Sequence, residues 1–308
     1  MTEAFPTQDN HDSSPIALEQ GTDGHAEKAD FKPVTTIDVR RHSEYEGGFP
    51  KAGWGKPTDE EKLTLGHLTE IGVENARRVA REIVEKRLAE AGGQVDFLVL
   101  ASPTYWLGDE QLGQRAIETA KIYSEEVEAQ LKAHGLPPEH LLNTVHSESL
   151  QHPIGNVWKT RKMVEAQMFD DPVALEAVVD GLREKYKGQG EEFWNAWYDG
   201  VDNEALKSVG AETSAEAADR ADRQMQILAR YGNMHNKATG RSLEVIVLTH
   251  HEVLQPYALH KLGVSPADFL PGKNEGLEIR VEDGKSVATV AGRQIEATKS
   301  RSHLAEKV

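Results

Sequence analysis

The chain has 308 residues and a formal net charge of -16, and this length is enough to bury a full hydrophobic core. The negative charge argues against a general binder of nucleic acids or anionic membranes, because those polyanions attract cationic surfaces. The absence of cysteine excludes disulfides, thiolate metal sites and cysteine nucleophiles. No apolar run approaches the roughly 18 residues of a membrane span, and the N-terminus lacks the basic-then-apolar order of a signal peptide. We therefore expect a cytoplasmic protein in which any anionic ligand binds in a local basic pocket.

The two ends of the chain show no apolar period. Residues 1–30 are polar and acidic, which predicts a disordered tail, and residues 296–308 are expected to be frayed. Residues 31–295 between them are expected to form one domain.

The first predicted strand covers residues 34–40, which are rich in β-branched side chains. A long, polar, glycine-rich loop follows over residues 43–65. Loops of this length in compact domains are usually functional or disordered. The loop contains Lys51, Trp54 and Lys56, and this mixture of an aromatic with two cations favours a loop at the border of a pocket.

A helix, a strand and a second helix come next. Thr69 is a suitable N-cap for the first helix, and Gly92–Gly93 would end it. Its apolar positions recur every three or four residues, at Ala76, Val79, Ala80, Ile83, Val84 and Leu88. Residues 95–101 are almost continuously apolar, as buried parallel strands are. The second helix is predicted from about residue 110 to about residue 134.

The middle of the chain departs from this alternation. Residues 141–145 are a short strand candidate, which is followed by His146, Ser147 and Glu148. Residues 155–210 are interpreted as a helical insertion over the pocket. The alternative for the aromatic side chains of this insertion is a small satellite core; they are Trp158, Phe193, Trp194 and Trp197.

Regular elements return in the C-terminal part. Residues 215–231 predict a helix, and residues 243–249 predict a second buried strand that runs into His250 and His251. Residues 277–281 and 286–290, joined by an Asp-Gly turn, predict a terminal β-hairpin. Strands alternate with amphipathic helices, so the predicted class is α/β, a three-layer sandwich with a mainly parallel central sheet flanked by helices.

Polar side chains follow the predicted carboxyl ends of three strands. Arg41 and His42 follow the first strand, Ser102 the second and His250 the last, while Arg115 lies on the helix after the second strand. The carboxyl ends of parallel strands share one edge, which is where open α/β sheets bind ligands. We therefore expect these side chains to converge on one pocket.

These segments give the chain a resemblance to the histidine phosphatase superfamily, also called the phosphoglycerate mutase-like family. Arg41-His42-Ser43-Glu44 resembles its Arg-His-Gly-Glu signature, and Leu68-Thr69-Glu70-Ile71-Gly72 with Asn75-Ala76 resembles Leu-Thr-x-x-Gly-x-x-Gln-Ala. Further likenesses, in the family's order, are Ser102-Pro103 with Arg115-Ala116-Ile117-Glu118-Thr119-Ala120, Glu148, Glu212-Thr213 with Arg220, and Val247-Leu248-Thr249-His250. The resemblance spans roughly residues 34–291.

The chain also departs from the family pattern. Ser43 and His251 stand where the family usually has glycine after each histidine, and residues 104–114 lengthen the segment before Arg115. The Asn that mutases carry shortly after the first motif is missing. These departures indicate a divergent member and favour a phosphatase over a mutase.

The resemblance implies a phosphoric monoester hydrolase that needs neither metal nor cofactor and acts on a small phosphorylated substrate. His42 would be the nucleophile and form phosphohistidine, and Glu148 would donate the proton to the leaving group. Arg41 and Arg115 would bind the phosphate, since each offers a planar, permanently charged fork of donors. His250 would be the second catalytic histidine and a further phosphate ligand.

Several other residues are candidates for the same pocket. Ser43 is a candidate phosphate donor, and the remaining candidates are Arg40, Glu44, Lys51, Trp54, Lys56 and His251. Arg40 rivals Arg41, because only one of two adjacent strand residues faces the pocket. Glu44 and Glu252 rival Glu148 as the proton donor.

Three alternative functions stay open. A mutase would keep the phosphorylated enzyme from water while its substrate reorients. A non-catalytic protein that binds phosphorylated ligands is suggested by the substitutions after both histidines. A metal hydrolase could use His250, His251, Glu252 and His146 or His152, although adjacent residues on a strand point to opposite faces. No nucleic-acid or membrane partner is expected, and a homodimer is allowed.

Overall fold

The computed structural model describes residues 31–46, 58–60, 64–102, 115–142, 172–188 and 190–297. Its strands are β1 (Thr35–Arg41), β2 (Val95–Ala101), β3 (Ser242–Thr249), β4 (Gly276–Glu282), β5 (Lys285–Val290) and β6 (Arg293–Glu296). Its α-helices are α1 (Glu70–Glu90), α2 (Arg115–Ala133), α3 (Pro172–Lys185), α4 (Glu191–Tyr198), α5 (Asn203–Ser208), α6 (Ser214–Thr239) and α7 (His251–Leu262). A 3-10 turn covers Pro138–His140.

The strands form one six-stranded sheet in the order β2-β3-β1-β4-β5-β6. The predicted α/β class and C-terminal hairpin are confirmed: β2, β3 and β1 are parallel at the core, whereas β4, β5 and β6 are antiparallel on one side. In the parallel part, Arg41 pairs with Thr249 and Ala101 with Leu248. Three strands therefore end level with one another, which brings the residues after them to one edge.

Helices cover both faces of the sheet. One face packs against α6 and α7 through alternate residues of the strands, such as Ile37, Val39 and Val245, and this is the main core. The opposite face packs against α2, and α1 packs on α2 and reaches the sheet through Arg87. None of the described helices is long and apolar enough to cross a membrane.

The face beneath α1 carries a buried ionic network. Arg87 of α1 pairs with Glu244 of β3 at 2.7 Å and with Glu278 of β4, and Arg40 pairs with Asp38 at 2.8 Å. Burial raises the pKa of Asp38 and of Glu244, and the neighbouring guanidinium groups oppose this shift. Removing one partner would leave a buried charge uncompensated, so the network links α1 firmly to the sheet.

Two segments differ from their predicted lengths. Helix α6 runs to Thr239, beyond the predicted end at residue 231, because Gly232 lets it pack directly on Thr35: a Cβ there would lie 2.3 Å from the Thr35 side chain. Strand β6 adds a third strand to the hairpin after a turn through Ala291 and Gly292, both with positive φ. Such two-residue turns match the twist of paired strands.

The insertion predicted over residues 155–210 is helical where the structure describes it. Helices α3, α4 and α5 lie within this range. Phe193 and Trp197 are buried with Leu206 and Ala211 in a separate cluster, which is the satellite core of the alternative interpretation. In the short strand candidate, Leu141 forms an isolated parallel bridge to Phe97, and residues 143–150 lie outside the described part.

The start of α1 confirms the predicted N-cap and explains the glycine three residues later. The Thr69 hydroxyl accepts a hydrogen bond from the Gly72 amide at 3.0 Å, and the Thr69 amide donates to the Glu44 carbonyl at 3.2 Å. A Cβ on Gly72 would lie 2.0 Å from that Glu44 oxygen. Only glycine allows the helix to pack this closely on the backbone that follows β1.

We expect Gly72→Ala to lower the free energy of unfolding by about 1–3 kcal/mol, because the clash is with backbone and cannot be relieved by a rotamer change. Gly181→Ala is the matched control, since a Cβ at this exposed helical site meets nothing within 4 Å. The control should raise stability by about 0.5–1 kcal/mol. Urea denaturation measures both changes. A Gly72→Ala variant that is stabilised as much as Gly181→Ala would contradict the close approach.

Candidate active site

The two histidines predicted at the strand ends lie side by side. The His42 amide donates to the Thr249 carbonyl at 2.9 Å, so the backbones leaving β1 and β3 remain paired beyond the strands. The ring centroids of His42 and His250 are 5.1 Å apart, and both side chains are almost completely buried. Arg115, at the first turn of α2, reaches the same point and donates from Nε to His42 Nε2 at 2.9 Å.

The partners of the His42 ring define its tautomer. Its Nδ1 lies 2.8 Å from the Ser43 carbonyl oxygen, which can only accept a hydrogen bond. Its Nε2 faces the Arg115 Nε–H, which can only donate. Nδ1 therefore carries the proton and Nε2 carries the lone pair. A second contact supports this geometry, since the Ser43 amide donates to the Thr119 hydroxyl on α2 at 3.0 Å.

The electrostatic surroundings keep both histidines neutral at pH 7. Burial lowers the pKa of His42 well below its ordinary value, and His250, Arg115 and Lys273 lower it further. Burial and Arg115 lower the pKa of His250 to about 3. A neutral imidazole with a free lone pair is the nucleophilic form, whereas an imidazolium is not.

His250 is the N-cap residue of α7, and the described residues give neither of its ring nitrogens a hydrogen-bond partner. Two other buried donors at this edge, Arg41 Nε and Arg115 Nη1, have no partner among the described residues either. Buried polar groups usually have partners. Unpaired donors on three side chains are suited to an anion with several oxygens.

Tyr45 and Lys273 complete this cluster, and neither was predicted from the sequence. The guanidinium carbon of Arg115 and the Lys273 ammonium each lie 4.4 Å from the centroid of the Tyr45 ring. The same ring meets His42 edge-on at 5.0 Å. The available signal was the segment Pro271-Gly272-Lys273-Asn274, a turn-like sequence with a cation just before β4.

Ser43 was predicted to bind phosphate, but the structure gives its hydroxyl a different position. The group lies 2.6 Å from the Gly72 carbonyl and 2.8 Å from a Glu44 carboxylate oxygen, and it accepts from the Asn274 amide at 2.7 Å. Its one proton is therefore shared between the Gly72 carbonyl and the Glu44 carboxylate. Asn75, which stands in the family's Gln position, donates to Glu44 at 3.2 Å.

The other candidates with described positions are distributed around the site. Arg40 pairs with Asp38 and donates to the Asn274 carbonyl, whereas Arg41 belongs to the cationic cluster with Arg115 and Lys273. His251 pairs with Glu252 at 3.0 Å and meets the Trp194 ring at a centroid distance of 4.6 Å. Burial opposes ionisation of Glu252, but the His251 ring outweighs it and the pKa of Glu252 is lowered.

Some predicted residues lie outside the described part of the chain: Glu148, Lys51, Trp54 and Lys56, together with the metal-ligand candidates His146 and His152. Within the described part, no group of three or more His, Asp or Glu side chains could hold a metal ion.

Comparison with known proteins gives likeness at the level of structure alone. No family model and no curated protein matches the chain. Among solved structures, the chain is similar to phosphoglycerate mutase from Bacillus anthracis, at 15% identity and TM-score 0.44 over 85% of this chain and 93% of that one. It is also similar to a mycobacterial glucosyl-3-phosphoglycerate phosphatase, at 14% identity and TM-score 0.39 over 82% and 91%.

A third similar structure is YhfR from Bacillus stearothermophilus, at 18% identity and TM-score 0.33 over 84% of this chain and 96% of that one. Proteins named as a mutase and as a phosphatase are thus among those that this chain resembles. With TM-scores below 0.5, this likeness carries no argument about activity, which depends on the residues of the site.

The tautomer of His42 can be measured by long-range proton–nitrogen NMR. At pH 7 we expect a neutral ring protonated on Nδ1, identified by the loss of its signals in His42→Gln. Replacing the cation in Arg115→Met should raise the pKa of His42, whereas Arg78→Met, which changes an exposed arginine of α1, should leave it unchanged. An Nε2-protonated ring or an imidazolium at pH 7 would contradict the assignment.

Proposed function

We propose that this protein is a phosphoric monoester hydrolase that works through a phosphohistidine on Nε2 of His42. The observation that carries the proposal is the fixed, neutral tautomer of His42, with its lone pair beside Arg115. An imidazole in this state is prepared to attack without first losing a proton. The nearby unpaired donors of Arg41, Arg115 and His250 support a phosphoryl group as the electrophile.

In the first step, His42 Nε2 attacks phosphorus in line, and the bond between phosphorus and the ester oxygen breaks. Arg115 Nε leaves His42 Nε2 and donates to a phosphoryl oxygen instead. Its Nη1 donates to the same phosphoryl group. Arg41 adds a second fork and His250 a neutral N–H. These contacts neutralise the charge that spreads over the phosphoryl oxygens in the transition state.

A proton donor must reach the leaving oxygen, and we assign this role to Glu148. Glu252 is unsuitable because the His251 ring keeps its pKa low, so it has no proton to give at neutral pH. Glu44 is engaged by Ser43 and Asn75. In the second step Glu148 takes a proton from water, whose oxygen attacks phosphorus, and the bond to Nε2 breaks to regenerate neutral His42.

A hydrolase and a mutase differ in the acceptor of the phosphoryl group from His42. The acceptor is water in a hydrolase and a hydroxyl of the substrate in a mutase. We favour water for two reasons. The segment after His42 lacks the mutase Asn, and the Ser43 hydroxyl is hydrogen-bonded to the Gly72 carbonyl instead of being free for the substrate. Partition of the phosphoenzyme between water and added glycerol phosphates distinguishes the two functions. A mutase would return most of the phosphoryl group to the organic acceptor.

Turnover of p-nitrophenyl phosphate with rapid quenching in alkali tests the intermediate. Phosphohistidine survives alkali, so mass spectrometry should find the phosphate on His42. We expect His42→Ala to lose activity by on the order of 10³-fold or more. His134→Ala is the control, since His134 is exposed at the end of α2 and should leave turnover unchanged. Strong chelators should have no effect on wild-type activity.

Two results would overturn the proposal. Activity that survives in His42→Ala and disappears with chelation would indicate metal-dependent hydrolysis. A protein that binds phosphate but neither turns over nor becomes labelled would indicate a binding function on the same site.

A further inference from the structure

The loop Pro271–Glu275, the last part of the connection from α7 to β4, is hydrogen-bonded to the end of β1. The Arg41 amide donates to the Glu275 carbonyl at 2.8 Å, and the Arg41 carbonyl accepts from the Asn274 amide at 3.1 Å. Arg41 Nη1 donates to the Pro271 carbonyl at 3.0 Å. The loop therefore runs along the residue that precedes the nucleophile, with anchors on both sides of Lys273.

Asn274 fixes the direction of this loop. Its backbone has a left-handed φ of 60°, its carbonyl accepts from Arg40 Nη1 at 2.7 Å, and its side-chain amide donates to the Ser43 hydroxyl at 2.7 Å. Asparagine adopts the left-handed conformation more readily than most residues, and these contacts hold Asn274 in it. These contacts leave the backbone at Lys273 little freedom and direct its side chain to the face of Tyr45.

The Lys273 ammonium lies among cations. It shares the Tyr45 ring with the guanidinium of Arg115, each at 4.4 Å from the centroid. No carboxylate of the described residues forms a salt bridge with it. The ionisable groups that face it from the neighbouring elements are Arg41, Arg115, Glu252, Glu44, His42 and His250. The nearest elements thus bring arginines to the lysine, while the Glu252 carboxylate pairs with His251.

We infer that Lys273 is a further substrate-binding residue, whose ammonium contacts a phosphoryl oxygen beside Arg115 and Arg41. The inference extends the proposed function, since the same phosphoryl group is the ligand. The two cations on the Tyr45 ring repel each other and the nearby Arg41, and a dianion between them removes this repulsion. The cationic cluster is therefore complementary to a doubly charged phosphoryl group.

The charge of Lys273 makes anion binding depend on pH. Burial, Arg41 and Arg115 lower the pKa of Lys273 to about 7, so part of the free enzyme lacks this charge at neutral pH. A bound dianion favours the charged form and raises that pKa. Affinity is therefore full below pH 7 and falls as pH rises above it, by up to about tenfold per unit.

Sulfate is the probe for this effect, because it stays a dianion between pH 6 and 9 while phosphate changes its charge. Calorimetric titration with sulfate at pH 6.5 and 8.5 should show tighter binding at the lower pH for the wild type. At pH 6.5, Lys273→Met should bind about 10- to 100-fold more weakly, since it loses one charge-assisted contact. Its affinity should no longer fall as pH rises.

Lys273→Arg separates charge from structure. An arginine stays charged at both pH values, so this variant should keep the affinity of the wild type at pH 6.5 and lose the decline toward pH 8.5. Lys273→Gln is a second neutral variant, and thermal unfolding checks that each variant is folded. Lys285→Met, at an exposed lysine of the hairpin, is the matched control and should behave as the wild type.

The outcomes distinguish the inference from the function on which it rests. Equal sulfate binding by wild type and Lys273→Met, or an unchanged pH decline in that variant, would overturn the role of Lys273 alone. A wild-type protein that binds neither sulfate nor inorganic phosphate would overturn the anion site and the proposed function together.

Discussion

The hydrogen bond between Arg115 and the His42 ring is the interaction on which the proposed chemistry depends. With the Ser43 carbonyl on the other nitrogen, it fixes both the tautomer and the orientation of the imidazole. Thr119 links the two partners of this bond. Its hydroxyl accepts from the Ser43 amide and donates to the Arg115 carbonyl at 2.7 Å. The first turn of α2 thus positions the proposed nucleophile, His42, and the proposed phosphate-binding fork of Arg115 as one unit. A shift of α2 relative to β1 would disturb both, as pre-organised sites require close tolerances.

The fold brings these residues together because its parallel strands end at the same height of the sheet. Because Arg41 pairs with Thr249, the residues that follow them, His42 and His250, are necessarily neighbours. The carboxylates described at this edge have partners of their own: Glu252 pairs with His251, and Glu44 accepts hydrogen bonds from Ser43 and Asn75. Although the chain carries a net charge of -16, the acidic side chains of the central strands form their own buried network with Arg87 beneath α1. A local cationic cluster can therefore exist in a strongly acidic protein.

Much of this arrangement was predictable from the sequence because its signals are local. Buried strands appear as apolar runs, α1 as a 3.6-residue period with a cap at Thr69, and the edge follows from the rule for parallel strands. Alternation along β1 also allowed only one of Arg40 and Arg41 to face the pocket. The choice between them depends on Asp38, whose own position in the buried network no local pattern reveals.

The contributions that could not be predicted depend on contacts between distant parts of the chain. Lys273 reaches the site because β4 pairs antiparallel to β1 and the preceding loop bonds to Arg41, more than 200 residues away in sequence. The position of Ser43 directly after His42 predicts a phosphate donor. Its hydroxyl is instead hydrogen-bonded to the Gly72 carbonyl and the Asn274 side-chain amide, which come from distant segments that a local pattern does not reveal.

The central claim is that the phosphoryl group passes through His42 before it reaches water. The stereochemical course at phosphorus tests this most directly, with a substrate made chiral by oxygen isotopes and sulfur and with hydrolysis in isotopically labelled water. Each in-line displacement inverts phosphorus, so two successive displacements through phosphohistidine predict net retention of configuration. Net inversion would show direct attack by water and would contradict a covalent intermediate on His42.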